Sequence, residues 1–200
     1  MELVPTVISA GWAAGINAYG TIAVLGLLGR AGVGEVPDPL TGTPVIAAAL
    51  AMFVIEFVVD KVAYLDSTWD VLQAPIRTAV GGAIGFLFAG DASVSSVDET
   101  LSAAGGGGTA LTSALVKTGI RLGINASPEP ASNIFMSLLE DGLMAVVVAL
   151  ALEEPYIALA AVVVLLAAGI GLIYLIWSRI RRAWAALRRR GWGRAPPGAG

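Results

Sequence analysis

The chain has 200 residues, of which 56% are hydrophobic and 14% charged, with a formal net charge of −3. Soluble domains have roughly 25% charged residues, so this composition excludes an ordinary soluble domain and indicates an integral membrane protein. The mean hydropathy of +0.80 agrees with that class. The chain has no Cys and no His, which excludes disulfides, thiolate chemistry and imidazole ligands for metals.

Six apolar segments are predicted to cross the membrane, because about 20 apolar residues in a helix span a bilayer core. In chain order they are Thr6–Gly29, Thr43–Tyr64, Val71–Gly90, Thr100–Ile124, Ile134–Leu152 and Tyr156–Trp177. Asn17 interrupts the first segment, and the fourth contains Gly105–Gly108, a poor helix interior. A re-entrant hairpin at either segment would make the count five or seven. The predicted fold class is an all-α integral membrane protein with about six transmembrane helices.

A short repeat indicates two related halves. Gly-Ile-Asn-Ala occurs at Gly15–Ala18 and again at Gly123–Ala126, and each copy has a further Gly four residues before it. Transporters built from duplicated halves often place a polar helix break near the bilayer midplane. The alternative is a chance match in a chain rich in Gly and Ala.

Basic residues predict the orientation, because Lys and Arg mark the cytoplasmic side of membrane proteins. Seven arginines follow the last predicted span: Arg179, Arg181, Arg182, Arg188, Arg189, Arg190 and Arg194. We therefore expect a single transmembrane domain at residues 1–178 and an Arg-rich cytoplasmic tail at residues 179–200. With six spans the N-terminus is cytoplasmic too, and the expected location is the inner (plasma) membrane of a bacterium.

The tail has the pattern of an amphipathic helix. Ile180, Trp184 and Leu187 recur at helical spacing, with arginines on the other face. We expect a short helix on an anionic membrane surface, so that lipid headgroups are its partners rather than nucleic acid. A homo-oligomer is left open.

Charged residues inside the spans predict the functional site, because a charge at a bilayer centre costs about 2.5–3.5 kcal/mol. Glu56 and Asp60 share one helix face. Lys117 and Arg121 form a second stripe, and two stacked cations need a facing anion such as Glu140. From the helix rise, these groups and Asn17 lie in nearly one layer of the cytoplasmic half.

Two hypotheses remain for this layer. The first is a binding site in a transporter or channel for a small ion; the surplus of carboxylates favours a cation or proton, and an anion or lipid-headgroup carrier that uses Lys117 and Arg121 stays open. The second is a set of structural ion pairs in a scaffold, with Glu56 bonded to Lys117 and Glu140 to Arg121. An enzyme is not expected, no cofactor is predicted, and metal ligation is left open. The candidate binding residues are Asn17, Glu56, Asp60, Lys61, Asp66, Asp70, Lys117, Arg121, Asn125, Glu129, Asn133, Glu140 and Asp141.

The segment Asn125–Asn133 is a second candidate. Pro128 and Pro130 end the fourth span there, and Ser132 or Asn133 would cap the fifth. An ordinary turn and a re-entrant segment are both compatible with this pattern.

Several of these motifs resemble the bacterial membrane family named domain of unknown function 4126. The motifs are Gly15–Tyr19, Glu56–Val62, Asp66–Asp70, Asn125–Asn133 and Glu140–Asp141. They occur in the same order, and the resemblance covers roughly residues 5–155. It implies a small multi-pass membrane protein, with the sixth span and the Arg-rich tail as an appendage.

A looser similarity is to cation/proton exchangers with a duplicated Glu-x-Gly-Asp-Lys/Arg-Ser/Thr motif. Here the Glu56-to-Asp60 spacing is one residue longer, Val59 replaces the Gly, and Val62 replaces the Ser/Thr. The similarity is therefore an analogy that identifies no substrate.

Overall fold

The structure is a computed structural model that describes residues 2–62, 65–125 and 130–191. Within these residues the chain forms eight helices and no strand, which confirms the all-α fold class. The helices are α1 (Leu3–Ile16), α2 (Ala18–Arg30), α3 (Asp38–Thr41), α4 (Thr43–Val59), α5 (Leu65–Asp91), α6 (Ser96–Asn125), α7 (Pro130–Glu153) and α8 (Pro155–Gly191).

Three segments of α5, α7 and α8 are long and apolar enough to cross a membrane by length and composition. They are Ser67–Asp91, Ile134–Glu153 and Pro155–Arg182, and they correspond to the third, fifth and sixth predicted spans. α6 continues through Gly105–Gly108 as one helix. α1, α2 and α4 are shorter apolar helices.

Asn17 separates α1 from α2. Its backbone is extended (φ −152°, ψ 104°), and its side-chain oxygen accepts a hydrogen bond from the amide of Gly20 at 2.9 Å. An Asn side chain that accepts from the third residue of a helix is an N-cap, which favours a new helix start over continuation. The predicted interruption at Asn17 is therefore a complete helix break.

The two helices form a hairpin whose arms enter and leave at the same end of the bundle. Thr6 donates to the carbonyl of Ala151 near the end of α7 (3.2 Å), whereas Asn17 donates to Asp141, ten residues earlier on α7 (3.1 Å). Gly34, in the loop after α2, again lies against the end of α7. At 1.5 Å per residue the tip thus lies about 15 Å inside the bundle. The chain turns back at Asn17, as the hairpin alternative for the first apolar segment requires. The number of membrane spans stays a prediction.

α1 is the central helix, and its backbone touches the neighbouring helices directly. A Cβ on Gly11 would lie 2.8 Å from the Cα of Gly106 on α6, and one on Gly81 of α5 would lie 2.7 Å from the carbonyl oxygen of Gly106. Small residues allow helix backbones to approach closely in membrane proteins. Gly106 of α6 therefore serves close packing, and the helix that carries the cluster described below is held against α1 and α5.

Glu2 and Arg181 lie at opposite ends of the bundle. The hydroxyl of Tyr156, at the start of α8, donates to the carboxylate of Glu2 at 3.0 Å. Arg181 follows 25 residues later on α8, about 38 Å along the helix axis. α8 is long and apolar enough to cross a membrane. The side of a membrane on which each terminus lies stays a prediction.

Two other local predictions differ from the structure. α7 begins at Pro130, so Ser132 and Asn133 lie inside the helix, beyond the N-cap position predicted for them. Proline suits a first helical turn, where its missing amide would have no intrahelical partner. α8 continues without interruption to Gly191, so the tail extends the last apolar helix as far as that residue instead of forming a separate short one.

Candidate functional site

Charged side chains from four helices meet around Lys117 of α6. The backbone carbonyl at the end of a fifth helix joins them. Its ammonium lies 2.9 Å from an Asp60 carboxylate oxygen, 3.3 Å from Asp70 and 3.7 Å from Glu140. It also donates to the backbone carbonyl of Ile16 at 3.0 Å. α1, α4, α5, α6 and α7 are therefore joined at one buried ammonium.

Arg121, one turn after Lys117, holds the carboxylate of Glu140 with two hydrogen bonds. Its Nε lies 3.2 Å and its Nη2 2.6 Å from the two carboxylate oxygens. Its Nη1 donates to the backbone carbonyl of Asp60 at 3.0 Å. The guanidinium thus connects α6 to α7 and to the end of α4. The Glu140–Arg121 pair of the structural hypothesis is present.

Arg77 of α5 is the member that sequence analysis missed. It forms an ion pair with Glu56 of α4 and lies 2.8 Å from Asp70 on its own helix. The structural hypothesis instead paired Glu56 with Lys117, whose closest carboxylate is that of Asp60. The sequence did contain a signal for Arg77: Asp70 and Arg77 are seven residues apart and therefore share a helix face.

These residues form what we call the charged cluster: Glu56, Asp60, Asp70, Arg77, Lys117, Arg121 and Glu140. Their side chains are exposed by 2% or less, except Glu140 at 10%. The cluster has four carboxylates against three bases, a formal charge of −1 if all are ionised. Buried charges are tolerated when paired and hydrogen-bonded, so the surplus carboxylate is the unusual feature.

Some buried polar atoms of the cluster have no hydrogen-bond partner among the described residues. They include Glu56 Oε2, Asp70 Oδ2, and the Nε and Nη1 of Arg77. Most buried polar atoms in proteins have a partner, and each exception needs an explanation such as strain, a chemical role, or a bound water or ion. Hydrogen-bond acceptors and donors without a partner among the described residues therefore lie where α4 meets α5.

The hairpin tip adjoins the charged cluster. Asn17 bonds to Asp141, which follows Glu140 on α7. Lys61 lies beside the cluster, where its ammonium donates to the carbonyl of Phe57 at 2.8 Å and stands 2.9 Å from the centre of that ring. The predicted layer at the end of the broken helix is thus present, with Lys61 at its edge.

The structure brings together eight of the predicted site residues: Asn17, Glu56, Asp60, Asp70, Lys117, Arg121, Glu140 and Asp141. Four others fall outside the part of the chain that the structure describes. Glu129 lies outside the described residues, as do the side chains of Asp66, Asn125 and Asn133. Among the described residues, no three or more acidic side chains are grouped so that they could hold a metal ion.

The charged cluster lies in the half of the bundle nearest the arginines of α8. Gly119 and Gly123 of α6 lie against Ile173 and Ile176, so α6 and α8 run in the same direction. Lys117 is therefore level with the part of α8 just before Ile173.

Fold and site together define a helical protein of membrane type, in which a buried charged cluster adjoins the tip of a broken-helix hairpin. The chain belongs to the family described as domain of unknown function (DUF4126), whose model matches residues 4–175. The match includes most of the last apolar helix, which is therefore part of the family pattern and no appendage. Comparison with curated proteins found no match, and comparison with solved structures found none either.

Proposed function

We propose that this protein is a transporter or channel for a small cation, coupled to protons or carrying them, in the inner membrane of a bacterium. The observation that carries the proposal is the meeting of four carboxylates and three bases beside a helix break. Ionisable residues inside a membrane are rare and usually mark an ion or proton pathway.

The broken helix supports this function. α1 ends at Ile16 with its carbonyl directed to Lys117, and α2 begins after Asn17. The C-terminal end of a helix has a partial negative charge and the N-terminal end a partial positive one. Transporters use such paired helix ends to bind ions away from water.

The charge balance favours a cation over an anion. Glu56, Asp60 and Glu140 would bind the ion or proton, and Lys117 and Arg121 would act as counter-charges. Asn17 would supply a neutral oxygen at the helix break, as Asn125 would at the end of α6. A transported cation would offset the surplus negative charge, whereas an anion would add to it.

The six predicted spans become five in this proposal. α4, α5, α6, α7 and α8 would each cross the membrane, and α1–α2 would be a re-entrant hairpin. The arginines of α8 would lie in the cytoplasm against anionic lipid, with the N-terminus outside. The two halves marked by the Gly-Ile-Asn-Ala repeat remain a prediction.

The test is cation and proton flux in proteoliposomes that contain the purified protein. Asp60→Asn should abolish flux while the protein stays folded. Asp91→Asn, the same change at an exposed residue at the far end of α5, should leave flux unchanged. A folded Asp60→Asn protein that transports at the wild-type rate would show that the proposal is wrong.

A structural scaffold or assembly partner is the second candidate. The two-point contact between Arg121 and Glu140 favours it, because such pairs fix geometry well. The scaffold hypothesis predicts no flux for any cation. It also predicts that neutralising residues of the charged cluster changes only the stability of the protein.

A further inference from the structure

A cavity reaches the charged cluster from the side of the bundle. It has a volume of about 220 Å³ and lies between α1, α6, α7 and α8. Its walls are mostly apolar, with Leu139, Ala168 and Leu172 among them, and Lys117 and Glu140 are its charged groups. An apolar cavity of about 150 Å³ holds a benzene ring. The space therefore suits one small ring or a branched alkyl group beside a charge.

Glu140 is the more accessible of the two charged groups that line this cavity. Glu140 exposes 10% of its side chain, whereas Lys117 exposes 1%. An ammonium has three protons to donate, and Lys117 already has Ile16, Asp60 and Asp70 within 3.3 Å. An anionic group in the cavity would therefore have few free hydrogen-bond donors on Lys117. It would also lie next to the surplus negative charge of the charged cluster.

The walls are unsuited to an inorganic ion but suited to an organic one. A bare metal ion needs several oxygen ligands to replace its water, and the described residues contain no group of three acidic side chains for it. An organic cation needs one opposite charge and apolar contact. Trp12 also lines the cavity, and indole is the aromatic ring that attracts ammonium groups most strongly.

We propose that this cavity binds a small organic cation, an ammonium group with one apolar ring or branched chain, with its charge at Glu140 and its apolar part against α8. The inference rests on the proposed function, because it specifies the cation that the same site would carry.

Binding is measured by isothermal titration calorimetry on the full chain in lipid nanodiscs, with benzyltrimethylammonium as the probe. Benzyl alcohol and benzoate are the neutral and anionic controls. We expect the cation to bind at least tenfold more tightly than either control.

Two variants test the location. Ala168→Leu fills the cavity and should weaken binding at least tenfold, whereas Ala167→Leu, the same change at the neighbouring exposed residue outside the lining, should change it less than twofold. Glu140→Gln should also weaken binding at least tenfold. If Glu140→Gln does not fold, the Ala168/Ala167 comparison decides the matter.

Equal binding of benzyl alcohol, or binding unaffected by Ala168→Leu, would overturn the inference. Absence of benzyltrimethylammonium binding together with inorganic cation or proton flux in proteoliposomes would overturn it too, while the proposed function would stand. Absence of both binding and flux would overturn both.

Discussion

The ammonium of Lys117 donates a 3.0 Å hydrogen bond to the carbonyl of Ile16, the last residue of α1. The last carbonyls of a helix have no intrahelical donor, and a cation there also interacts favourably with the helix dipole. The same ammonium binds Asp60, so the position of the hairpin tip and the charge balance of the cluster depend on one side chain.

Loss of the Lys117 charge should therefore be strongly destabilising. Lys117→Met leaves Asp60 and Asp70 with less compensation, and removing one partner of a buried pair costs about 3–5 kcal/mol. Adding Asp60→Asn should restore part of this loss. Free energies of unfolding in detergent give the double-mutant cycle, and strict additivity would contradict a direct coupling. Lys61→Met, at the edge of the cluster, should have a much smaller effect.

Arg77 should be as important as Lys117, although it is absent from the sequence-based site. Arg77→Met removes the guanidinium that pairs with Glu56 and Asp70 and leaves both carboxylates buried. We expect the free energy of unfolding to fall by about 3–5 kcal/mol. Arg77→Lys should recover only part of this stability, because one ammonium cannot reproduce the guanidinium geometry. The exposed Arg30→Met serves as the control in the same unfolding assay. Equal stability of Arg77→Met and Arg30→Met would contradict the assignment.

Asn17 should be required for the hairpin tip. Asn17→Ala removes both the cap of α2 and the bond to Asp141. A lost cap costs about 0.5–2 kcal/mol and a hydrogen bond about 1 kcal/mol, so we expect a loss of about 1–3 kcal/mol. Asn17→Ser, which can still cap, should lose less. Thermal unfolding monitored by circular dichroism ranks the variants, and a Ser variant less stable than the Ala variant would refute the capping role.

Two glycines on one helix should respond oppositely to alanine. A Cβ at Gly106 would collide with the backbone of Gly81, and overpacking costs about 1–3 kcal/mol. A Cβ at Gly108 meets nothing within 4 Å, so Gly108→Ala should be neutral or stabilise α6 by up to about 1 kcal/mol. Midpoints of thermal unfolding measure the difference. Similar midpoints for the two variants would argue against the close contact of α5 and α6.

The positions of the termini can be tested by labelling, because the wild-type chain has no Cys. In intact spheroplasts, a membrane-impermeant maleimide should label Glu2→Cys and spare Arg181→Cys. Permeabilised cells should label both, which is the control for reactivity. Equal protection of both cysteines in intact spheroplasts would contradict the proposed topology and support the one with both termini in the cytoplasm.

Part of the site could be predicted because helix geometry is local. The four-residue spacing of Glu56 with Asp60 and of Lys117 with Arg121 already places each pair on one face, and the helix rise gives their depth. The pairing could not be predicted in the same way. Whether Glu56 meets Lys117 or Arg77 depends on how α4, α5 and α6 are rotated about their axes, which sequence spacing leaves undetermined.

The sequence by itself determined that the protein is all-α and of membrane type, since few charges and long apolar runs favour helices that satisfy their own backbone hydrogen bonds in lipid. It also located a break at Asn17. Only the tertiary structure decided the direction of the chain after that break. An N-cap ends one helix and starts another, but the path of α2 back beside α1 results from packing against α4 and α7. Other contacts, the close backbone approach of α1, α5 and α6 at Gly11, Gly81 and Gly106, place Asp70 of α5 beside Lys117 of α6.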